Sequence, residues 1–320
     1  MLKRQRLSFG APRPVPLSVQ AFGRRRRSRL VQCGGVLRWR SVLALWCSVV
    51  APAGGAGDDR TEGLQAGPGC VRMRRVTAPV MSSAETLRHM LDKAQRRLGT
   101  PLRRSFAQRG TRHDPKPGAL AKFIANRDET GLDLFLLMLT LATKEPYHVI
   151  YPSAWWQRAL ELSDETIVSR AWKRLQERRL IVRERDGRLV VVTPLMEDGT
   201  LTPYTRPAAK GESYGKLPQA YWREGHFKTL PLAGKAMLII SIVQHGSFTL
   251  PLERVKDWYG ISADTAEIGF RALRDAGILT RQPTWTLSRR APDGYAQTYI
   301  YKLRAPYSSG KEVELRVLVS

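Results

Sequence analysis

The side chains best suited to chemistry on a partner molecule lie on one predicted helix, between Ser163 and Leu180. Its apolar residues share a face at spacings of three and four: Val168, Ala171, Trp172 and Leu175. The opposite face carries hydroxyl, ammonium and guanidinium groups, on Thr166, Ser169, Arg170, Lys173 and Arg174. Arg donates to guanine N7 and O6 in a major groove, and Ser or Thr bonds bases or phosphates. The helix is therefore predicted to contact DNA bases. The alternative interpretation is a surface helix whose charged side chains are simply solvated.

Patterns for bond-breaking chemistry are missing from the sequence. The five histidines are scattered, and no two lie two or four residues apart, which excludes a local HExxH zinc site. The run Gly211–Leu217 looks like a phosphate-binding loop, but it has three residues between its glycines and Leu where Mg²⁺ needs a hydroxyl. We therefore expect no enzyme activity, no metal, no cofactor and no small-molecule ligand.

The chain is strongly basic, with 53 Lys and Arg against 28 Asp and Glu, a net charge of +25 over 320 residues. Such an excess favours a polyanionic partner. Residues 1–80 contain fifteen of the basic residues and only three of the acidic ones, so nearly half of the excess lies in the first quarter. All three cysteines lie there too, which excludes disulfides and thiolate metal sites from residues 81–320.

Residues 1–80 are rich in Arg, Gly, Pro and Ala and lack a sustained apolar period. Three interpretations stay open: a start codon placed too far upstream of Met81, a disordered basic tail, or an export signal around the apolar run 42–53. That run is too short to span a bilayer. From Met81 onwards, Ser82 and Glu85 form a predicted capping box for a helix, and residues 101–122 are predicted as a basic linker or an arm along DNA.

The elements around the basic helix are predicted from their patterns. An apolar core helix covers 132–142, an extended segment covers 146–151, a helix runs from Ser153 to Leu160, and Ser163 is the expected N-cap of the basic helix. Asp186-Gly187 between β-rich runs predicts a hairpin. Its cations join the predicted DNA-binding set: Arg183, Arg185 and Arg188.

This order of elements, with the run from Ile167 to Leu175 followed by Leu180-Ile181 and the hairpin, resembles the winged helix-turn-helix superfamily, of which MarR-like regulators are one branch. The resemblance implies that residues 163–178 are the recognition helix and the hairpin is its wing. One position departs from the family pattern, because Arg179 stands where Gly is common after the helix. A non-Gly residue there must adopt a left-handed conformation or end the helix differently.

A second copy of the pattern follows at an offset of 98 residues, which pairs Val168 with Ala266, Trp172 with Phe270 and Leu175 with Leu273. Ser262 is its predicted N-cap, and a longer wing spans 279–303. The two helices differ in charge, with a net +2 over 164–179 and −1 over 264–276. The first helix is therefore the expected base reader, and the second unit is expected to pair subunits or to contact DNA through wing residues Arg281, Arg289 and Arg290.

Together these patterns predict an α+β, mainly helical protein with two winged helix-turn-helix units, short β-hairpin wings and a disordered leader. Its expected divisions are 1–80, 81–122, 123–195 (first unit), 196–220 (linker), 221–307 (second unit) and 308–320 (tail). Aromatic residues at 214–227 are expected to pack against the second unit, with stacking on bases as the alternative, and the same internal packing is expected of Trp155, Trp156, Trp258 and Trp285.

The expected function is sequence-specific binding of double-stranded DNA in transcriptional regulation, by a cytoplasmic, nucleoid-associated bacterial protein. No membrane partner is expected, and the second unit allows a homodimer. The alternative is replication initiation on a plasmid or integrated element, since some initiators are tandem winged-helix proteins with one stronger and one weaker DNA-reading unit. A third hypothesis is a protein-interaction module.

Overall fold

The computed structural model describes residues 79–94, 99–111, 113–186, 189–207, 212–287, 289 and 291–308. The expected leader, apart from its last two residues, and the tail after Ser308 lie outside these residues, as do Arg188 and Arg290. Within the described part the protein is α+β: α-helices surround short sheets of two or three antiparallel strands. None of the described helices is long and apolar enough to cross a membrane.

The first helix, α1 (Ser83–Ala94), begins at the predicted capping box. The Ser82 backbone N–H donates to the Glu85 carboxylate at 2.9 Å, and the Glu85 N–H donates to Ser82 Oγ at 3.3 Å. Two donors that the helix cannot satisfy internally are thereby bonded. Its apolar face, including Met90 and Leu91, is buried.

The segment predicted as a basic linker, 101–122, is folded. It forms β1 (Thr100–Arg103), α2 (Arg104–Ala107), the pair β2 (Gln108–Gly110) and β3 (Pro115–Pro117), and the start of α3 (Leu120–Ala125). Apolar residues placed between the cations explain the difference, because Leu102, Phe106 and Leu120 are fully buried. Burial of these side chains supplies the free energy that a solvated linker lacks.

The first repeat contains α4 (Glu129–Leu141), β4 (Val149–Tyr151), α5 (Ser153–Ala159), α6 (Glu165–Glu177), β5 (Ile181–Asp186) and β6 (Leu189–Pro194). Helix α4 is the predicted core helix, buried from Gly131 to Leu141. Strand β6 lies between β4 and β5 in a three-stranded antiparallel sheet. The predicted hairpin is present, but its register pairs Asp186 with Leu189, so Asp186 belongs to β5 and not to the turn where the sequence placed it.

Most of the described residues of the linker expected at 196–220 lie outside helices and strands, but regular elements begin before its end. The chain forms β7 (Tyr214–Leu217), α7 (Ala220–Arg223) and α8 (His226–Thr229). Gly215 and Lys216 of the sequence that looks like a phosphate-binding loop lie in strand β7. Tyr221, Trp222 and Phe227 are buried, as predicted. The first two, however, bond helix α4 of the first repeat, through Asp133 Oδ1 and Thr140 Oγ1.

The second repeat has the same order of elements. It contains α9 (Leu232–Gln244), β8 (Ser247–Thr249), a 3-10 turn (Leu252–Arg254) running into α10 (Val255–Tyr259), α11 (Ala263–Asp275), β9 (Leu279–Leu287) and β10 (Tyr295–Leu303). Strand β10 lies between β8 and β9. The repeated order is helix, strand, helix, helix and hairpin, and the second hairpin is three residues longer in each strand.

Helices α6 and α11 end in the same way. The Arg179 N–H donates to Gln176 and the Leu180 N–H to Leu175, and 98 residues later Gly277 and Ile278 make the equivalent bonds to Arg274 and Leu273. These are the two bonds of a Schellman motif. Arg179 adopts a φ of 61° and Gly277 a φ of 70°. Arg179 therefore adopts the left-handed conformation that Gly usually provides at this helix end, although it has a side chain.

The two repeats are joined by a strand pair and a buried ion pair. Strand β1 precedes the first repeat and pairs with β7, which precedes the second. Lys235 of α9 is 1% exposed, and its Nζ lies 2.6 Å from Asp133 and 2.7 Å from Glu129, both on α4. Burial raises the pKa of Asp133 to about 6, with the charge of Lys235 opposing the rise.

Candidate nucleic-acid interface

Helix α6 is held by its cap and by its apolar face. The N-cap is Asp164, whose carboxylate accepts from the Thr166 N–H at 2.8 Å, so the expected cap at Ser163 was one residue early. A carboxylate accepts this bond well and also suits the positive end of the helix dipole. The predicted apolar face is confirmed, because Val168, Ala171, Trp172 and Leu175 are buried. These contacts fix which side of α6 faces solvent.

Four of the five predicted helix residues form one exposed surface: Thr166, Ser169, Arg170 and Lys173. We call this surface the α6 face. Among the described residues, neither Arg170 nor Lys173 makes an ion pair. Two cations and two hydroxyls therefore point to solvent from consecutive turns of one rigid helix, an arrangement that can meet phosphates and base edges.

Arg174, the fifth predicted residue, is bonded inside the protein. Its Nε and one terminal nitrogen donate to the two carboxylate oxygens of Asp128, at 3.0 and 2.7 Å. Arg178 adds a contact of 2.6 Å to the same carboxylate, which also accepts the Gly131 N–H as the cap of α4. Burial opposes ionisation of Asp128, but the bonds and charges of the two arginines outweigh it and hold its pKa below the ordinary value.

The second repeat has apolar residues at the positions of this ion pair. At the positions equivalent to Asp128 and Arg174 stand Pro231 and Ala272, at offsets of 103 and 98. A side chain at the adjacent Gly234 would lie 3.4 Å from both of them. Arg174 and its carboxylate are thus present together in one repeat and absent together from the other. This correlation indicates that Arg174 joins α6 to α4.

The first hairpin places its cations beside the α6 face. Along β5, Ile181 is buried, Arg183 is half-buried and Arg185 is exposed. Alternate residues of a strand share a face, so these three lie on one side. An Arg183 terminal nitrogen lies 3.5 Å from the Ser169 carbonyl oxygen, which brings this guanidinium next to α6. Arg188 lies outside the described residues.

Helix α11 presents different chemistry at the positions of the α6 face. Counted 98 residues on, Thr166, Ser169, Arg170 and Lys173 become Asp264, Glu267, Ile268 and Arg271. Ile268 is 51% exposed. Two carboxylates and an isoleucine are a poor match to a row of phosphates. The charge contrast inferred from the sequence therefore lies on the solvent-facing side of the two helices.

The second hairpin contributes further cations and three exposed apolar side chains. Arg289 is exposed, Arg290 lies outside the described residues, and Arg281 stacks 3.6 Å from the centroid of the Tyr299 ring. Trp285, expected to pack internally, is 65% exposed, with Leu287 at 78% and Tyr295 at 56%. Leu287 and Tyr295 were not predicted as exposed from the sequence. The sequence did show Trp285 alternating with Leu287 in a long strand, a pattern that could have predicted an exposed apolar face, and Tyr295 pairs with Leu287 across the hairpin.

The described residues contain no group of three or more His, Cys, Asp and Glu side chains that could hold a metal ion. Comparisons with protein-family models, with curated proteins and with solved structures find no match to this chain. The candidate interface therefore stands on the geometry of α6 and the hairpin that follows it.

Proposed function

We propose that the protein binds double-stranded DNA in a sequence-specific manner, with two winged helix-turn-helix units of which the first reads bases. The α6 face carries the proposal: Arg170 and Lys173 are exposed and unpaired within the described residues, and hydroxyls lie beside them. In this proposal α6 enters the major groove and the β5–β6 hairpin is the wing. Arg183 and Arg185 then bind phosphates at the edge of the groove, while Arg174 fixes the position of α6 through its hydrogen bonds to Asp128.

The proposed biological role is transcriptional regulation, with replication initiation as the second candidate. One observation favours the second candidate: the repeats are joined within one chain, through the β1–β7 pair and the buried Lys235–Asp133 contact. A single chain could thus engage two neighbouring DNA segments without a second copy. Mapping the bound sites in the genome separates the two roles. A palindrome at a promoter supports regulation, whereas direct repeats beside an origin support initiation.

The test of DNA binding is a double charge reversal on the α6 face, Arg170→Glu with Lys173→Glu. The probe is a duplex that the wild-type protein selects from a random-sequence pool. Each lost phosphate contact reduces the slope of log K against log salt by about 0.9, and two repelling carboxylates should abolish the gel shift. The matched control is Arg88→Glu with Lys93→Glu, two exposed cations of α1 that cause the same change in net charge.

The control separates local contact from general attraction. Binding lost in the α6 variant but retained in the control supports the proposal. Equal loss in both would indicate that net charge alone drives association. If only substitutions within α11 mattered, the ranking of the two units would be reversed. If the wild-type protein selected no duplex, the protein-interaction hypothesis would replace DNA binding, with the Asp264, Glu267 and Ile268 surface as the place to look for the partner.

A further inference from the structure

The second hairpin carries an apolar surface that the fold does not use. In the β9–β10 register Leu287 pairs with Tyr295 and Trp285 with Gln297. Directly paired residues share a face of an antiparallel sheet, so Trp285, Leu287 and Tyr295 lie together on one side. They are between half and four-fifths exposed. We call these three residues the hairpin wedge.

The same face of the hairpin begins in the core and ends in solvent. Tyr301 is 3% exposed and stacks on Phe270 of α11, with ring centroids 4.1 Å apart. Further along, Arg281 stacks on Tyr299, and the wedge follows beyond it. Each strand is three residues longer than in the first hairpin, which extends the tip by roughly 10 Å at about 3.3 Å per residue. The wedge therefore lies on the part of the hairpin that projects past α11.

The charges around the wedge indicate its partner. Residues 279–303 contain Arg281, Arg289, Arg290 and Lys302 but only one acidic residue, Asp293. A basic hairpin with an apolar end matches duplex DNA, whose phosphates attract the cations while an unstacked base step accepts an apolar side chain. The acidic α11 face makes base reading by that helix unfavourable. In the second repeat, the hairpin is the better candidate for DNA contact.

We propose that the hairpin wedge inserts between adjacent base pairs of the bound duplex and kinks it, so that the second repeat deforms DNA while the first reads it. The inference rests on the proposed DNA binding. Apolar side chains that enter a base step from the minor groove open the groove and bend the duplex by about 20–90°. Trp285 and Leu287 supply the inserted surface, Tyr295 supports Leu287 across the hairpin, and Arg281 and Arg289 bind the flanking phosphates.

The experiment compares the wild-type protein with Trp285→Ala, Leu287→Ala and their double variant, on the duplex selected by the wild type. Energy transfer between dyes at the duplex ends measures bending, and 2-aminopurine placed at successive positions measures unstacking. The control is Thr286→Ala, at the same level of β9 on the other face. Because all of these side chains are exposed, thermal melting should show that each variant folds like the wild type.

We expect the wild type and Thr286→Ala to bend the duplex and to raise 2-aminopurine fluorescence at one step. The double variant should do neither and should bind roughly tenfold more weakly, as after loss of a base-stacking contact. An unchanged bend in the double variant, with binding intact, overturns the wedge and leaves the proposed function standing. A wild-type protein that binds no duplex overturns both.

Two further outcomes also overturn the wedge. If the variants lose binding to single-stranded oligothymidine but bend the duplex normally, the surface stacks unpaired bases instead. If light scattering shows that the wild type is a dimer and the double variant a monomer, the surface joins two copies of the chain. Both measurements use the same full-length proteins.

Discussion

Arg174 and Asp128 face each other with two hydrogen bonds of 3.0 and 2.7 Å, so the guanidinium lies against helix α4. Its neighbour Lys173 is exposed and has no ion pair among the described residues. Two adjacent cations of one helix therefore have different roles: Arg174 bonds α6 to α4, and Lys173 is exposed to a binding partner. The distinction can be measured.

Lys173→Ala should weaken duplex binding and reduce the salt slope by about 0.9, with the free energy of unfolding changed by less than about 0.5 kcal/mol. Arg174→Ala should show the opposite pattern. Because the Arg174 side chain is 38% exposed, solvent screening limits its loss of stability to about 1 kcal/mol. Fluorescence anisotropy at several salt concentrations and urea unfolding give the two quantities. A weaker complex with unchanged stability in Arg174→Ala would contradict the assignment.

Asp128→Ala should destabilise the protein by about 3 kcal/mol, because it uncaps α4 and leaves the buried Arg178 without its carboxylate. Asp164→Ala, which removes only the cap of α6, should cost about 1 kcal/mol. Since the folded-state pKa of Asp128 is depressed, its contribution is present above the ordinary value of 3.8 and disappears as the pH falls below it. Urea unfolding across this range should show the free energies of unfolding of the wild type and Asp128→Ala converging as the pH falls. A constant difference down to low pH would contradict the ion pair.

Asp133 predicts the opposite pH dependence. Burial raises its folded-state pKa to about 6 from an ordinary 3.8, so the folded protein holds this proton more tightly than the unfolded chain. Its contribution to stability is fully present below 3.8 and decreases as the pH rises toward 6. Relative to Asp133→Asn, the wild type should therefore lose stability across this window. The exposed Asp114→Asn is the control, and a flat difference between the wild type and Asp133→Asn would contradict the prediction.

Arg179→Gly should stabilise the protein by about 0.5–1 kcal/mol, because a left-handed residue without Cβ relieves the strain at φ 61°. The reverse exchange at the equivalent position, Gly277→Ala, should destabilise it by about 1 kcal/mol. A Cβ at Gly277 meets no atom within 4 Å, so backbone conformation alone sets the effect. Denaturant unfolding measures both. Destabilisation by Arg179→Gly would indicate that the Arg179 side chain makes a contact that outweighs its strain.

Gly269→Ala should destabilise the second repeat by about 1–3 kcal/mol, since its Cβ would lie 2.4 Å from the Ala233 carbonyl oxygen of α9. The equivalent residue of the first repeat is Ala171, which is buried and carries the methyl group that Gly269 lacks. Ala171→Gly should cost about 1–2 kcal/mol, through lower helix propensity and the loss of a buried methyl group. Helix propensity alone would make Gly269→Ala stabilising, so a variant that melts at or above the wild-type temperature would contradict the close packing of α9 against α11.

Local patterns in the sequence were sufficient for the repeated elements. The spacing of Val168, Ala171, Trp172 and Leu175 determined which side of α6 is buried, and the Asp186-Gly187 pair located the hairpin to within one residue. The offset of 98 residues aligns Arg179 with Gly277, but the sequence left open whether Arg179 adopts the same left-handed helix end. The buried face of α6 and the hairpin depend on residues close together in the chain, so periodicity and turn chemistry are enough to predict them.

Tertiary structure decided which charges are free and which segments are folded. Arg174 looked equivalent to Lys173 until the fold brought Asp128, 46 residues away, against it. The segment 101–122, predicted as a linker, is folded because its few apolar residues pack against the second repeat and α4. Strand β1 also pairs with β7, more than a hundred residues later in the chain. Trp285 is exposed because β9 extends beyond helix α11, which covers Tyr301. Each outcome depends on a contact between residues distant in sequence, which local pattern does not encode.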